Sequence, residues 1–468
     1  MKAGFAALLA ATALAAACAS VTAGDAGRTN PPPAAVSAAL KAIAGEVSEA
    51  NQRAYVEKMV SFGTRSTISD ATSNTRGIGA ARRWVETEFR GMASACSGCL
   101  EIVTPSDTVT GARYPQPTLV VDVVAIQRGT TDPNRVIIIQ GHLDSRNSAN
   151  ENVTDDAPGA NDDASGVAAV MESARILSKR KFPATIVYAA LSGEEQGLSG
   201  GRILAAYAKA QGWQVEAVLN NDIVGNSKSI NGRVDDKTVR VFSEGIRATE
   251  TTQMAAARRS NGGELDSPSR NLSRYMATLA EQHFDDFRVR MIYRMDRYGR
   301  GGDQTPMQEA GFPAVRVTEG AENWNHQHQN IRTENGVFFG DTIEYVDFAY
   351  LARVTRLNAI TLASLASAPR PPLEVKVQGA LSVDTTVSWT AGAGPAPAKY
   401  VVWWRDTTSP VWQHSQEVAG DQGSVIIKDV VLDDHFYGVQ AVSADGYASP
   451  IQFAGLLGAF FPPPAAAN

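Results

Sequence analysis

The stretch "RVIIIQGHLDS" (Arg135–Ser145) constrains this chain more than any other. Four consecutive β-branched residues have no polar side to offer water, so they predict a strand covered on both faces, as in a parallel sheet. The run stops abruptly at His142 and Asp144 and passes into the acid-rich "NSANENVTDDAPGANDDASG". In open α/β sheets, ligands and reacting groups gather beyond the carboxyl ends of strands, which makes His142 and Asp144 candidates by position alone. A solvated acidic loop is the plain alternative.

The rest of the chain fits that layered reading. Apolar runs at "TLVVDVVAI", "ATIVYAALS", "VEAVLNNDIVG", "VRMIYR" and "PAVRVTEG" predict further strands. Helical periodicity appears from Ala34, in "YVEKMV", "GIGAARRWVETEF", "SRNLSRYMATLAEQ" and "DTIEYVDFAYLARVTRLNAITLASLA". In "SGVAAVMESARILSK" the residues Val167, Val170, Met171, Ala174 and Leu177 share one face, predicting an amphipathic helix. Strands alternating with helices define an α/β domain, assigned here to residues 34–368. "SAPRPP" then marks a boundary. Residues 369–461 change to short alternating strands with Trp389, Trp403, Trp404 and Trp412, and resemble a fibronectin type III or similar β-sandwich. Packing explains most of those tryptophans; a cell-wall or carbohydrate contact is the second reading. Residues 462–468 form a tail.

The opening "MKAGFAALLAATALAAACAS" has a lysine, a short apolar run and small residues, which predicts an export signal over residues 1–23 and a flexible leader over 24–33. "LAAAC" leaves two processing routes open: lipidation at Cys18 with membrane anchoring, or cleavage after Ala17, Ala19 or Ala23. Either route makes this an exported bacterial protein, whether periplasmic, secreted or an outer-membrane lipoprotein. Beyond Cys18 only Cys96 and Cys99 remain, and without a second C-x-x-C they predict a small disulfide rather than a metal site. A formal net charge of -6 leaves no basic footprint for nucleic acid.

Four more patches fall at predicted strand ends: Asp162 and Asp163, Glu194 and Glu195, Asp222, and the pair His326 and His328. Singly, each has a dull explanation: a helix cap, a first-turn acid or, for the histidines, a surface H-x-H. Together, carboxylates converging on one sheet edge would repel and lose hydration. Cations resolve that conflict; mixed His, Asp and Glu ligation suits zinc, and a shared carboxylate suits two zinc ions.

In order, "GHLDS", "APGANDDASG", "GEEQGL", "NND" and "NHQHQ" resemble the exported zinc aminopeptidases typified by bacterial leucyl aminopeptidases, relatives of the glutamate carboxypeptidases. The resemblance runs from Ser61 to Asp347 with a longer insert after Asp222; "FGTR" and "GDQTPMQEAGFPAV" match as landmarks outside the ligand set. It implies a three-layer α/β/α domain with a mixed, largely parallel sheet, acting on peptides. His142 and Asp222 would hold one zinc, Glu195 and a histidine the other, and Asp162 both. Asp144 would orient His142 through its carboxylate, and Glu194 would be the general base. The Asp162–Asp163 peptide is cis in that family. The family usually writes its last ligand His-Thr-x-x-Asp. Here His326 fits if Asn330 replaces the Asp, whereas His328 meets Arg332 at that offset, so His326 is the expected ligand.

The insert "MIYRMDRYGRGGD" offers Tyr298 as a hydrogen-bond donor to substrate, with Arg294, Arg297 and Arg300 read as a solvated basic loop. Neutral or apolar first residues are then expected, unless one of those arginines points inward. A carboxypeptidase on the same scaffold would need such a cation. A one-zinc glutaminyl cyclase would not need the full ligand set, and a non-catalytic relative would have lost part of it.

Overall fold

The computed structural model describes residues 34–394 and 396–461. The signal segment with Cys18, the leader and the tail lie outside them. The β-branched run belongs to the middle of an eight-stranded mixed sheet. In chain order its strands are β1 (Glu101–Val103), β2 (Val123–Gln127), β3 (Asp132–His142), β4 (Ala184–Leu191), β5 (Gln214–Asn221), β6 (Thr238–Ser243), β7 (Arg288–Ile292) and β8 (Ala314–Glu319). Their order across the sheet is β1-β2-β4-β3-β5-β8-β6-β7. The central strands β4, β3, β5 and β8 run parallel, while β2 joins β4 and β6 joins β8 in antiparallel fashion.

Alternation along β3 explains the layers. Ile137 and Ile139 join a core with helices α1 (Ala34–Gly45), α2 (Glu49–Val60), α3 (Gly77–Ala95), α4 (Ala164–Leu177), α7 (Pro268–His283) and α9 (Phe348–Ser367). Val136 and Ile138 face α5 (Ser199–Ala210) and α8 (Gln304–Glu309) on the other side. The remaining helix, α6 (Thr252–Asn261), buries no residue fully. The result is the mixed-sheet α/β fold expected, and it brings the carboxyl ends of β3, β4, β5 and β8 to one edge.

Three local readings need correction. "TLVVDVVAI" is not one strand. It breaks at the buried Asp122, whose carboxylate accepts the Ser192 N–H at 2.9 Å. The part before the break pairs instead in a hairpin, Ser106–Gly111 with Tyr114–Val121. Helix α4 is not amphipathic in practice: every residue but Arg175 is buried, because α2 and α9 cover the side turned away from the sheet. The last helix starts at Phe348 rather than Asp341, with the Asp347 carboxylate accepting the Tyr350 N–H as its cap. Cys96 and Cys99 are joined by a disulfide at the end of α3.

After α9 the chain forms two antiparallel sheets, one of three strands and one of four. Val375, Val387, Trp389, Tyr400, Val402, Tyr437 and Val439 fill the space between them. The outer face of the larger sheet is not free. Trp403 and Trp412 are buried there, Arg274 donates to the Pro410 carbonyl at 2.8 Å, and the fully buried Arg405 pairs with the fully buried Asp266 at 2.6 Å. The tryptophans therefore serve packing. Removing Arg405 leaves the buried Asp266 with Arg274, at 3.2 Å, as its remaining cation, so one carboxylate oxygen loses its charged partner away from water. Arg405→Met is expected to lower stability by about 2–3 kcal/mol, the range for a lost charge-assisted hydrogen bond, read from urea unfolding. A loss below about 1 kcal/mol, the range of a surface pair, would show that this contact does not hold the sandwich in place.

Candidate metal centre

His142 is the last residue of β3 and is buried. Its Nε2 lies 3.2 Å from Asp162 Oδ1 and 3.9 Å from Asp222 Oδ1. The other oxygen of Asp162 faces the opposite way, 3.0 Å from His328 Nε2, which is itself 2.8 Å from Glu195 Oε1. Ligand atoms of His142, Glu194 and Asp222 lie within 4.8 Å of one another, and so do those of Asp162, Glu195 and His328. Residues from four strand ends thus form two groups, with Asp162 between them.

The scaffold beneath is hydrogen-bonded throughout. The Asp163 carboxylate caps α4 through the Gly166 N–H and also accepts the N–H groups of His142 and Ile223. The Asp162–Asp163 peptide is cis. Asp144 has a further part beside the one expected. Its backbone carbonyl, 3.0 Å from His142 Nδ1, orients the imidazole, while its carboxylate stands off at 3.6 Å. That carboxylate also accepts the N–H groups of Glu194 (3.3 Å) and Glu195 (3.1 Å), fixing the turn that carries both acids.

The histidine expected at the second group was His326, and the structure puts His328 there. His326 ends a short 3-10 turn, its ring stacks on Tyr345 at 3.6 Å, and its Nδ1 meets the Gly340 carbonyl at 3.0 Å. Two residues later the backbone turns left-handed, with φ of 52° at His328, and that side chain swings to the acids. Asn330 is no stand-in for the missing Asp, because it pairs with Ser148. Tyr298 does not reach the site either: it is 87% exposed, under the guanidinium of Arg294.

Other contributors carry no mark in the sequence that singles them out. Asp341 accepts the N–H groups of Asn161 and Asp162 at 2.8 and 2.7 Å, and burial pushes its carboxyl up to about 7. The fully buried Arg316 presses on Asp222 Oδ2 at 2.6 Å. The landmark "FGTR" serves the scaffold, since its buried Arg65 donates to the carbonyls of Leu143, Pro158 and Gly159 and so ties down the loop that carries Asp162.

The electrostatics divide the acids: against the cost of burial, His328 and His142 hold Asp162, and Arg316 and His142 hold Asp222, below the usual carboxylate range, while Glu194 has no such support. Burial pushes Glu194 well above the usual range; His142 opposes this, while Glu195 and Asp222 add to it. Burial also works against charging His142, yet Asp144, Asp162 and Asp222 hold its pKa well above 6.5. A hard or borderline cation relieves both, and one imidazole with carboxylates in each group is a donor set that zinc accepts.

The groups open into a cleft of about 670 Å³. Of its lining side chains only Ala112 and Leu198 are apolar. Arg113, Arg146, Arg297 and Arg300 line it with the acids.

An α/β sheet with paired acid and histidine groups at its carboxyl edge is the architecture of a metallohydrolase. Comparisons with known proteins agree. The model for peptidase family M28 matches residues 122–338. A protein of Leptosphaeria maculans named "Probable zinc metalloprotease" is 44% identical over 88% of this chain and 95% of its own length. One of Pyricularia oryzae with the same name is 45% identical over 88% and 83%. Among solved structures, Legionella pneumophila LapA aligns with 22% identity and a TM-score of 0.53, covering 70% of this chain and 76% of that one. LapB from the same organism gives 18%, 0.51, 70% and 75%. The chain belongs to peptidase family M28 and is a zinc metallopeptidase, a hydrolase whose substrates are peptides.

Proposed function

We propose that this metallopeptidase is an exported aminopeptidase that works with two zinc ions and uses Glu194 as its general base. The observation that carries the two-ion reading is Asp162, which offers one oxygen towards His142 and the other towards His328. His142, Asp162 and Asp222 would hold one ion, and Asp162, Glu195 and His328 the other. Zinc, when bound, lowers the pKa of a water and polarises a carbonyl. Glu194 lies beside His142 and Asp222 at the cleft and takes the proton from the attacking water. It then returns that proton to the amine that leaves. Asp144 keeps Glu194 and Glu195 aimed apart by holding both backbone N–H groups.

For the direction of attack, Legionella pneumophila LapA, which shares the fold, is named an aminopeptidase. Glu194, the one lining acid that the metal assignment leaves free, also suits a free ammonium group. The test is a matched peptide pair, one acetylated at its amino end and the other amidated at its carboxyl end. Acetylation is expected to stop cleavage and amidation to leave it running. Blocking by amidation alone would make the enzyme a carboxypeptidase.

A further inference from the structure

The arginines of the cleft are more than a solvated loop. Arg240, Arg297 and Arg300 converge on a single buried carboxylate, Glu322, with Arg300 at 3.1 Å and Arg297 at 3.6 Å. The only other acid on that wall, Asp296, is shared by Arg297 (3.2 Å) and Arg316 (3.4 Å) among the described residues. Arg316 also leans on Asp222, which the metal site claims. Four guanidinium groups therefore share three carboxylates, one of which the metal site claims. Across the cleft, Arg146 donates through Nε to the Asn147 carbonyl, and its nearest acid is Glu195 at 3.9 Å. Arg113 donates to a neutral group, the Glu195 carbonyl, at 2.7 Å.

Once Asp162, Glu195 and Asp222 are engaged by metal, Glu194 is the one free acid left among the lining residues, against four arginines, of which Arg297 and Arg300 divide Glu322 between them behind the cleft. Cations in a partly enclosed cleft need counter-charge, and a neutral or apolar side chain cannot supply it. Position narrows the arginines that would receive it. Arg146 stands beside Glu195, and Arg300 donates at 3.3 Å to the side chain of Gln327, the residue before His328. Both therefore border the second ligand group, on one side of the site where the scissile bond would be held.

Resting on the metallopeptidase reading above, we propose that the cleft recognises a substrate carboxylate next to the scissile bond, with Arg146 and Arg300 as its ligands. Two sources carry that chemistry: the side chain of an aspartate or glutamate, and the free carboxyl end of a short peptide. Planar guanidinium forks suit either one.

Binding to the zinc-loaded full chain, measured by calorimetry, separates the sources without needing turnover. Glutamate α-amide against glutamine α-amide reads a side-chain carboxylate. Acetyl-alanine against acetyl-alanine amide reads a terminal one. In at least one pair the acid is expected to bind about tenfold to a hundredfold more tightly. Arg146→Met and Arg300→Met should each shrink that ratio, while Arg294→Met, on the exposed side of the loop, should leave it. Equal binding within both pairs, or a ratio unmoved in both cleft variants, overturns the proposal. Acid preference in a protein that cleaves no peptide would instead count against the peptidase reading alone.

Discussion

Glu194→Gln leaves the zinc content of the protein as it was and lowers kcat by about a thousandfold, the middle of the span for a lost general acid–base group. The expectation follows from how the turn is held. The backbone N–H groups of Glu194 and Glu195 both donate to Asp144, and a glutamine at position 194 keeps these contacts. Shape and orientation survive, and only the capacity to take and return a proton is removed. Glu195→Gln is the contrasting change. It takes negative charge from the group holding His328 and Asp162, so zinc affinity should fall together with rate. Elemental analysis and kinetics on the same samples keep the two apart. Glu194 also lies in one ligand group with His142 and Asp222, which gives the alternative a definite signature. If Glu194→Gln sheds zinc, Glu194 is a ligand. If it keeps both zinc and rate, the base is another residue.

The site was legible where chemistry follows directly on an apolar run. His142, Glu194, Glu195 and Asp222 each stand within a few residues of a buried strand's end, and a strand buried on both faces announces itself. Contributors that arrive by tertiary folding gave no such signal. Arg316 sits inside β8 in the apolar setting "PAVRVTEG", and only the sheet order places it against Asp222, just past the end of β5. Asp341 looked like part of a helix because nothing nearby in sequence shows that Asn161 and Asp162 need its carboxylate. The hairpin before β2 escaped because half of its second strand is exposed and Pro115 and Pro117 interrupt any strand signal. Helix α4 was read with one apolar face because its small residues, Ala168 and Ala169 among them, do not declare that a second layer of helices packs on them.

The choice between two histidines turned on backbone conformation, which spacing does not record. His328→Ala is expected to lower bound zinc by about one ion per chain, because its Nε2 is the nitrogen donor facing Asp162 and Glu195. Removing it leaves those two carboxylates with no neutral ligand between them. His326→Ala should leave zinc content intact. Its imidazole is engaged by the Gly340 carbonyl and by Tyr345, so the loss is one of packing, roughly 0.5–1.5 kcal/mol for a stacked pair. Zinc analysis and thermal unfolding of the two variants should therefore show opposite patterns. A metal-depleted His328→Ala that still unfolds cooperatively excludes general misfolding as the cause. A His326→Ala protein short of zinc, beside a His328→Ala protein that keeps it, would return the ligand to the position that spacing alone had favoured. The left-handed turn at His328 would then have to open for the two side chains to exchange places.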